Sequence, residues 1–318
     1  MYAAVVSSFD HPPRYESIDV PAPSDEDEIL VDVVASGLHP RVRSQSSGTH
    51  YTSTDRLPLI PGIDGVARTA DGELRYFIVG DDGAGAMAEK TVIDRRRSVP
   101  LPDGVDPLLV AAAMNPAMSS WVALRKRIDF QPGQSVLVLG ATGSAGQLAV
   151  QIAKHLGAGR VVAAGRDPER LARLASIADE TVSLVGTPDE VAERLGASAA
   201  DIDVVIDYVW GPATAAAMVA IVMHRTDAAK QLTWIEIGSM GGVTADIPSA
   251  VLRAARLQIV GSGQGSVPTR DIVSELGELA AELGKGTLVI NARAVALKDV
   301  ETIWGLREDG DERVVITP

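Results

Sequence analysis

Residues 135 to 170, SVLVLGATGSAGQLAVQIAKHLGAGRVVAAGRDPER, change hydrophobic period twice within a short span, which predicts a strand, a helix and a second strand. Ser135 to Leu139 is a continuous apolar run of the kind buried on both faces of a parallel sheet. It stops at a turn carrying Gly140, Gly143 and Gly146, residues that let main chain approach a ligand closely. From Ser144 the apolar residues Ala145, Leu148, Ala149, Ile152 and Leu156 recur at helical spacing. The turn therefore feeds a helix whose unpaired N–H groups and positive dipole end face one point, a place for a pyrophosphate. A glycine string alone is weak evidence in a chain with 30 glycines. Its position after a strand, before a helix and ahead of a second strand, Arg160 to Ala164, is the context a dinucleotide fold requires.

The end of the second strand is where such folds choose between nicotinamide cofactors. An acidic residue there bonds the ribose 2′-hydroxyl, whereas a small residue followed by arginine suits a 2′-phosphate. The chain reads Gly165-Arg166-Asp167, with Arg170 one helical turn on. Arg166 offers a planar charged fork matched to phosphate, so NADPH is the expected cofactor. Asp167 is the residue that could instead reach the ribose of NADH.

A chain of 318 residues exceeds the size at which one core keeps growing, so two domains are expected. The net charge of −13 disfavours nucleic acid and anionic membrane surfaces as partners. The absence of cysteine excludes disulfides, thiolate nucleophiles, iron–sulfur clusters and thiolate-held zinc. Tyr2 opens a first strand with neither a basic leader nor a long apolar segment before it, so a cytoplasmic protein is expected.

From Tyr2 to Val34 short strands are split by His11-Pro12-Pro13, Pro21-Ala22-Pro23 and an acidic turn at Ser24 to Glu28. Ile29 to Ala35 reads as a strand that opens into a polar loop, Gly37 to Ser44, with His50 and Tyr51 in a further loop. Loops leaving a β scaffold tend to carry binding residues, which makes His39 a candidate for touching substrate. Pro61-Gly62-Ile63-Asp64-Gly65 reads as a turn, and two further β segments run to about Ile93, giving a small barrel. Pro107 to Leu124 is helical. Past the glycine turn, strands at Thr181 to Val185, Asp203 to Ile206, Leu232 to Ile237 and Leu257 to Val260 complete a doubly wound sheet of six, an α/β Rossmann arrangement. Glycines follow the last two strands, at Gly238, Gly241 and Gly242 and at Gly261, Gly263 and Gly265, on the edge where such sheets bind ligands. Beyond Pro268 a helical stripe, strands at Leu288 to Ile290 and Ala294 to Leu297, another stripe and Val314 to Ile316 return to the first domain.

A β-rich start, a Rossmann domain entered about 130 residues in and a short αβ return together resemble the medium-chain dehydrogenase/reductase superfamily. The resemblance is to its zinc-independent quinone oxidoreductase and zeta-crystallin-like branch. Its carriers are Ala35-Ser36-Gly37-Leu38-His39-Pro40, Pro61 to Gly65, Gly85-Ala86-Met87-Ala88-Glu89, Gln131 to Val138 and the loop Gly140 to Gly146. The resemblance implies a GroES-like β-barrel catalytic domain at 1–118, a Rossmann NADPH-binding domain at 119–264 and a return to the catalytic domain at 265–318. It also implies hydride transfer from NADPH to a quinone or an α,β-unsaturated carbonyl, and a homodimer. Zinc-using members hold the metal with Cys and His. Here Ile63 stands at the histidine position and cysteine is absent, so no metal is expected and metal-polarised alcohol oxidation is disfavoured.

The site residues that the resemblance implies are these. His39, in place of an asparagine, and Tyr51 are the catalytic candidates that contact the carbonyl, with Arg43 and Asn115 also on the substrate. Cofactor contacts fall on Ser120 (or its neighbour Ser119), on Thr142, Gly143, Ser144, Ala145 and Gly146, and on Gly165, Arg166 and Arg170. Gly238 and Ser239, Gly263 and Gln264, and Arg313 complete them. A short-chain reductase is excluded because no tyrosine is followed by lysine at the required spacing. A serine hydrolase is excluded because Thr142 stands where its elbow needs glycine. A non-catalytic NADPH-binding sensor or structural protein is the remaining alternative.

Overall fold

The computed structural model of the chain describes residues 1–80, 83–306 and 312–318. It divides into two compact units, one formed by 1–115 with 269–318 and the other by 116–268.

In the first unit β1 (Tyr2–Val5) and β2 (Arg14–Ser17) pair antiparallel. The prolines on either side of β2 cannot donate to a ladder, which keeps this ribbon short. β3 (Glu28–Gly37) is the long strand of the unit. Residues 40–46, read from sequence as loop, form instead a short helix, α1 (Pro40–Ser46), with Pro40 in its first turn and only Val42 and Ser46 buried. Proline pre-sets the helical φ at that position, and two inward residues in seven leave too little apolar periodicity to announce a helix. The proposed turn at 61–65 is also shorter than expected. Gly62 turns at φ +108, while Asp64 and Gly65 already belong to β4 (Asp64–Arg68). β5 (Leu74–Ile78), β6 (Lys90–Asp94), β7 (Ser98–Pro100) and α2 (Pro107–Val122) follow. Residues 107–127 are long and apolar enough to cross a bilayer by length and composition, but 67% of the apolar window is buried in the protein, as in a core helix.

The second unit alternates without exception. β8 (Ser135–Leu139), α3 (Ser144–His155), β9 (Arg160–Gly165), α4 (Pro168–Leu174), β10 (Glu180–Ser183) and α5 (Pro188–Ala199) make its first half. β11 (Val204–Asp207), α6 (Gly211–Met223), β12 (Leu232–Glu236), α7 (Val251–Ala254) and β13 (Leu257–Gly261) make its second. All six strands are parallel in the order β10-β9-β8-β11-β12-β13. The order reverses between β8 and β11, and the crevice outside the carboxyl ends of those strands is where an open α/β sheet binds ligands. Leu137, Leu139, Val162, Val205, Met218 and Trp234, all fully or nearly fully buried, lie in the core that holds this edge rigid.

The chain then returns to the first unit with α8 (Thr269–Gly284), β14 (Asn291–Ala296), α9 (Val300–Trp304) and β15 (Glu312–Thr317). β15 runs parallel to β14 and antiparallel to β3, giving the sheet order β14-β15-β3-β4-β5-β7, with β6 also on β3. One sequence expectation fails here and another is shifted. Leu288 to Ile290 are not a strand: Leu288 is a buried anchor in a loop and Val289 is exposed. The segment at Ala294 is the second half of β14, whose pairing starts at the polar Asn291, and Leu297 begins a 3-10 turn.

Candidate functional site

At the carboxyl edge of the parallel sheet, Gly140 leaves β8 at φ +86. Its N–H and that of Ala141 both donate to the Ala164 carbonyl at 2.9 Å, which ties the turn to β9. Gly146 packs the start of α3 against this turn: a Cβ there would stand 2.2 Å from the Gly140 oxygen. Gly143 differs. It is the N-cap of α3, no side chain caps that first turn, and a Cβ on it would meet only the Gly140 oxygen, at 3.6 Å. Thr142 to Gly146 thus form bare main chain with room in front of a helix N-terminus, the local form of an anion cradle.

The end of β9 has a different logic from the one read in sequence. A Cβ on Gly165 would stand 2.4 Å from Thr142 Cγ2, so the glycine seats the threonine and no carboxylate can replace it without moving the turn. Asp167 is occupied as well. Its carboxylate caps α4 by accepting from the Arg170 N–H at 3.1 Å and pairs with Arg170 Nε at 3.4 Å. Arg170 also points Nη1 at the Thr142 carbonyl, 3.5 Å away. Arg166 is exposed, lines a shallow hollow with Asp167, Pro168 and Glu169, and makes no hydrogen bond or ion pair with the described residues.

The loops after β11 and β12 lock together. Asp207, fully buried, accepts from the N–H groups of Val209 and Trp210 and from the Thr214 and Trp234 side chains at 2.7–3.0 Å. That grip holds Trp210 at φ +52, unusual for a side-chain-bearing residue. A Cβ on Gly211 would lie 2.8 Å from the Gly241 oxygen, and one on Gly241 would lie 2.9 Å from the Trp210 oxygen. The glycine cluster noted in the sequence is thus partly packing, whereas Ser239 and Gly263 are exposed on the loops themselves.

Tyr208, not anticipated from sequence, stands between these loops. Gly140 and Gly238 both abut it, and its hydroxyl is 2.8 Å from Ser119 Oγ. Burial pushes its pKa up to about 12, against the pull of hydrogen bonds from Ser119 and Ser120. Ser120 is fully buried and donates to the Ala117 carbonyl at 3.4 Å. The signal for Tyr208 was its place one residue past a strand end.

The first unit gathers a second group. His39 is 2% exposed, its ring resting over Gly37, with Nε2 3.2 Å from Asp64 Oδ1. The Tyr76 hydroxyl donates to Asp64 Oδ2 at 2.6 Å and Ser36 Oγ to the Asp64 carbonyl at 3.0 Å. The Arg41 charge acts on both Tyr76 and His50. Burial, then Arg41, lowers the His50 pKa. His50 packs against Tyr51, ring centroids 4.4 Å apart, and Tyr51 is 73% exposed. Arg43 lies 5.6 Å from the Trp304 ring and donates to the Leu306 carbonyl at 3.2 Å. Asn115 is half-buried in α2, and Arg313 is buried in β15. Asp64 and Tyr76 were missed as partners of His39 because strand pairing, not sequence spacing, brings them to it.

Residues 145–282 match the family described as zinc-binding dehydrogenase. Over the whole of both chains the protein is 28% identical to the probable NADPH-dependent quinone reductase tdiC of Emericella nidulans. It is 28% identical to the chloroplastic NADPH-dependent alkenal/one oxidoreductase of Arabidopsis thaliana, over 48% of this chain and 43% of that one. Among solved structures, the quinone oxidoreductase from Thermus thermophilus, determined also as its complex with NADPH, is similar at TM-score 0.82 and 26% identity, covering 100% of each chain.

Proposed function

We propose that the chain, as a member of the medium-chain dehydrogenase/reductase superfamily of the quinone-oxidoreductase type with its Rossmann and GroES-like domains, reduces a quinone or an α,β-unsaturated carbonyl with NADPH. The observation that carries the reading is the pairing of an uncapped, unobstructed glycine turn at Gly143 with Arg166 at the end of β9, where Asp167 is already engaged. The residues fit the cofactor. Main-chain groups of Thr142 to Gly146 would take the pyrophosphate, and Arg166, backed by Arg170, the 2′-phosphate. Ser120, Gly238, Ser239, Gly263 and Gln264 would border the nicotinamide side, and Arg313 would offset pyrophosphate charge. When bound, NADPH supplies the hydride. The protein's own work is to orient the two reactants, keep water out and offer a hydrogen bond to the acceptor oxygen. His39 is the residue assigned to that bond, with Tyr51, Arg43 and Asn115 assigned to the rest of the acceptor.

No zinc is needed in this scheme. The chain has no cysteine, and Ile63 stands where the resemblance implies the zinc-holding histidine of zinc-using members. We assign the protein to the cytoplasm, which recovery of the tagged protein with cell membranes would overturn. We also infer a homodimer built on β13, which ends the parallel sheet with Ile259 37% exposed. Sedimentation should give twice the chain mass and, for Ile259→Lys, a shift toward the single chain; a wild type that sediments as one chain removes the dimer.

The test of function is NADPH oxidation against a panel of quinones and enones, before and after dialysis against a chelator. Turnover that survives dialysis is expected, and turnover lost with the metal would reject the zinc-free scheme. Tight NADPH binding without turnover on any acceptor would favour the sensor reading. Arg166→Ala should weaken NADPH binding about tenfold to a hundredfold, as for loss of a charge-assisted hydrogen bond, and leave NADH binding unchanged. Equal loss for both cofactors would remove Arg166 from the phosphate.

A further inference from the structure

Asp64 is a carboxylate almost without water, 1% exposed at the head of β4. Each of its oxygens has one partner, Tyr76 Oη at 2.6 Å and His39 Nε2 at 3.2 Å. Burial first, then the Asp64 charge, pushes the Tyr76 pKa well above 10, so its hydroxyl keeps its proton and donates. An ionised carboxylate only accepts, so Nε2 carries the hydrogen in its contact with Oδ1. The other ring nitrogen of His39, Nδ1, is buried and has no hydrogen-bond partner in the protein. The ring lies close on Gly37: a Cβ there would stand 2.5 Å from both its Cε1 and its Nε2. A buried polar atom left without a partner costs roughly 1–3 kcal/mol. It marks a place where a ligand atom completes the set.

We propose that His39 donates the proton, through Nδ1, to the acceptor oxygen, and that Asp64 and Tyr76 are positioning residues that fix the ring for it. This rests on the reductase reading. As the hydride from NADPH forms the new bond to the acceptor, the π electrons of the quinone or enone move onto oxygen. The Nδ1–H bond breaks, the O–H bond forms, and the imidazolium becomes a neutral imidazole that keeps Nε2–H against Asp64. The products are NADP⁺ and the hydroquinone, or the enol of the saturated carbonyl compound, and once the product has left a proton (H⁺) taken up from bulk solvent restores Nδ1–H. The charged and titratable groups around the ring are Asp64 on β4, Tyr76 on β5, Arg41 on α1 and, through Arg41, His50.

Nitrogen-15 NMR of the histidine rings in the cofactor-free protein reads the arrangement directly, His39 being assigned by its loss in His39→Gln. When neutral, His39 should hold its hydrogen on Nε2 and leave Nδ1 bare; the opposite tautomer overturns the proposal. In turnover, His39→Gln should lower kcat about a hundredfold or more and Asp64→Asn about tenfold, with the KM for NADPH within about twofold in both and partial recovery in Asp64→Glu. A folded Asp64→Asn protein with wild-type kcat and pH profile overturns the proposal. If Asp64→Asn does not fold, Tyr76→Phe decides, through loss of the single tautomer or its retention. A wild-type protein that oxidises no NADPH with any quinone or enone ends the reductase reading itself, and the acid role with it, whatever the tautomer; a wild type that turns over while the variants are unaffected ends only the relay.

Discussion

A single residue at the end of β12 gives this protein a pH response of its own. Glu236 closes β12, and burial first, then the Asp207 charge, raises its pKa above the ordinary carboxylate range. The folded protein therefore holds that proton more tightly than the unfolded chain. The resulting stability is full below the unfolded pKa and is lost as pH rises through the folded one. Glu236→Gln keeps the shape and removes the titration, so it should raise the melting temperature at pH 7 and leave it nearly unchanged at pH 4. Calorimetry at the two pH values checks this, and an equal shift at both would reject the electrostatic account. Candidate residues could be singled out in the sequence only where chemistry is local, as His39 and Arg166 were by their type and their place after a strand. Asp64 could not be seen as a partner of His39, because β3 and β4 bring them together from 25 positions apart.

Elements with a strong period were legible, and those without one were not. The four inner strands β8, β9, β11 and β12 and the helix α3 follow the sequence pattern within a few residues, since burial on both faces of those strands demands unbroken apolar runs. The helix α1 was hidden because it buries only Val42 and Ser46, and the loop at Leu288 was mistaken for a strand because a buried anchor looks the same as a buried pair. The glycines at the carboxyl edge were read as ligand-facing, yet part of their number answers to the interlock of the loops after β11 and β12. That interlock is testable. Gly211 sits at φ +74, and a Cβ there would also stand 2.8 Å from the Gly241 oxygen, a backbone atom that cannot swing aside. Gly211→Ala should therefore destabilise the protein by roughly 1–3 kcal/mol or more as read by denaturant melts. A variant as stable as the wild type would mean that the two loops part easily.

At the scale of the whole molecule, the first unit is made from both ends of the chain, with residues 116–268 inserted between them. The return segment completes the unit from within. β15 lies between β14 and β3 in the sheet. One hydrophobic cluster draws Ala4, Leu38, Val42, Ile63 and Met87 from the N-terminal stretch and Leu297, Val300, Ile303, Val314 and Ile316 from the C-terminal one. Removing 269–318 strips half of that cluster and unpairs the end of β3, where Ser36 and Gly37 lose Ile316 and Val315. The second unit keeps its six strands and its own core, because none of its ladders uses a residue beyond Gly261. A chain ending at Pro268 should consequently show protease-resistant material confined to 116–268, with the stretch before it digested, and should lose NADPH-dependent reduction because His39, Asp64 and Tyr76 all lie in the collapsed part. Limited proteolysis read by mass spectrometry separates the outcomes. Protection of 1–115 in the truncated chain would show that the N-terminal stretch folds without its C-terminal strands, and the cluster shared by the two ends would then be an accessory to the fold instead of its support.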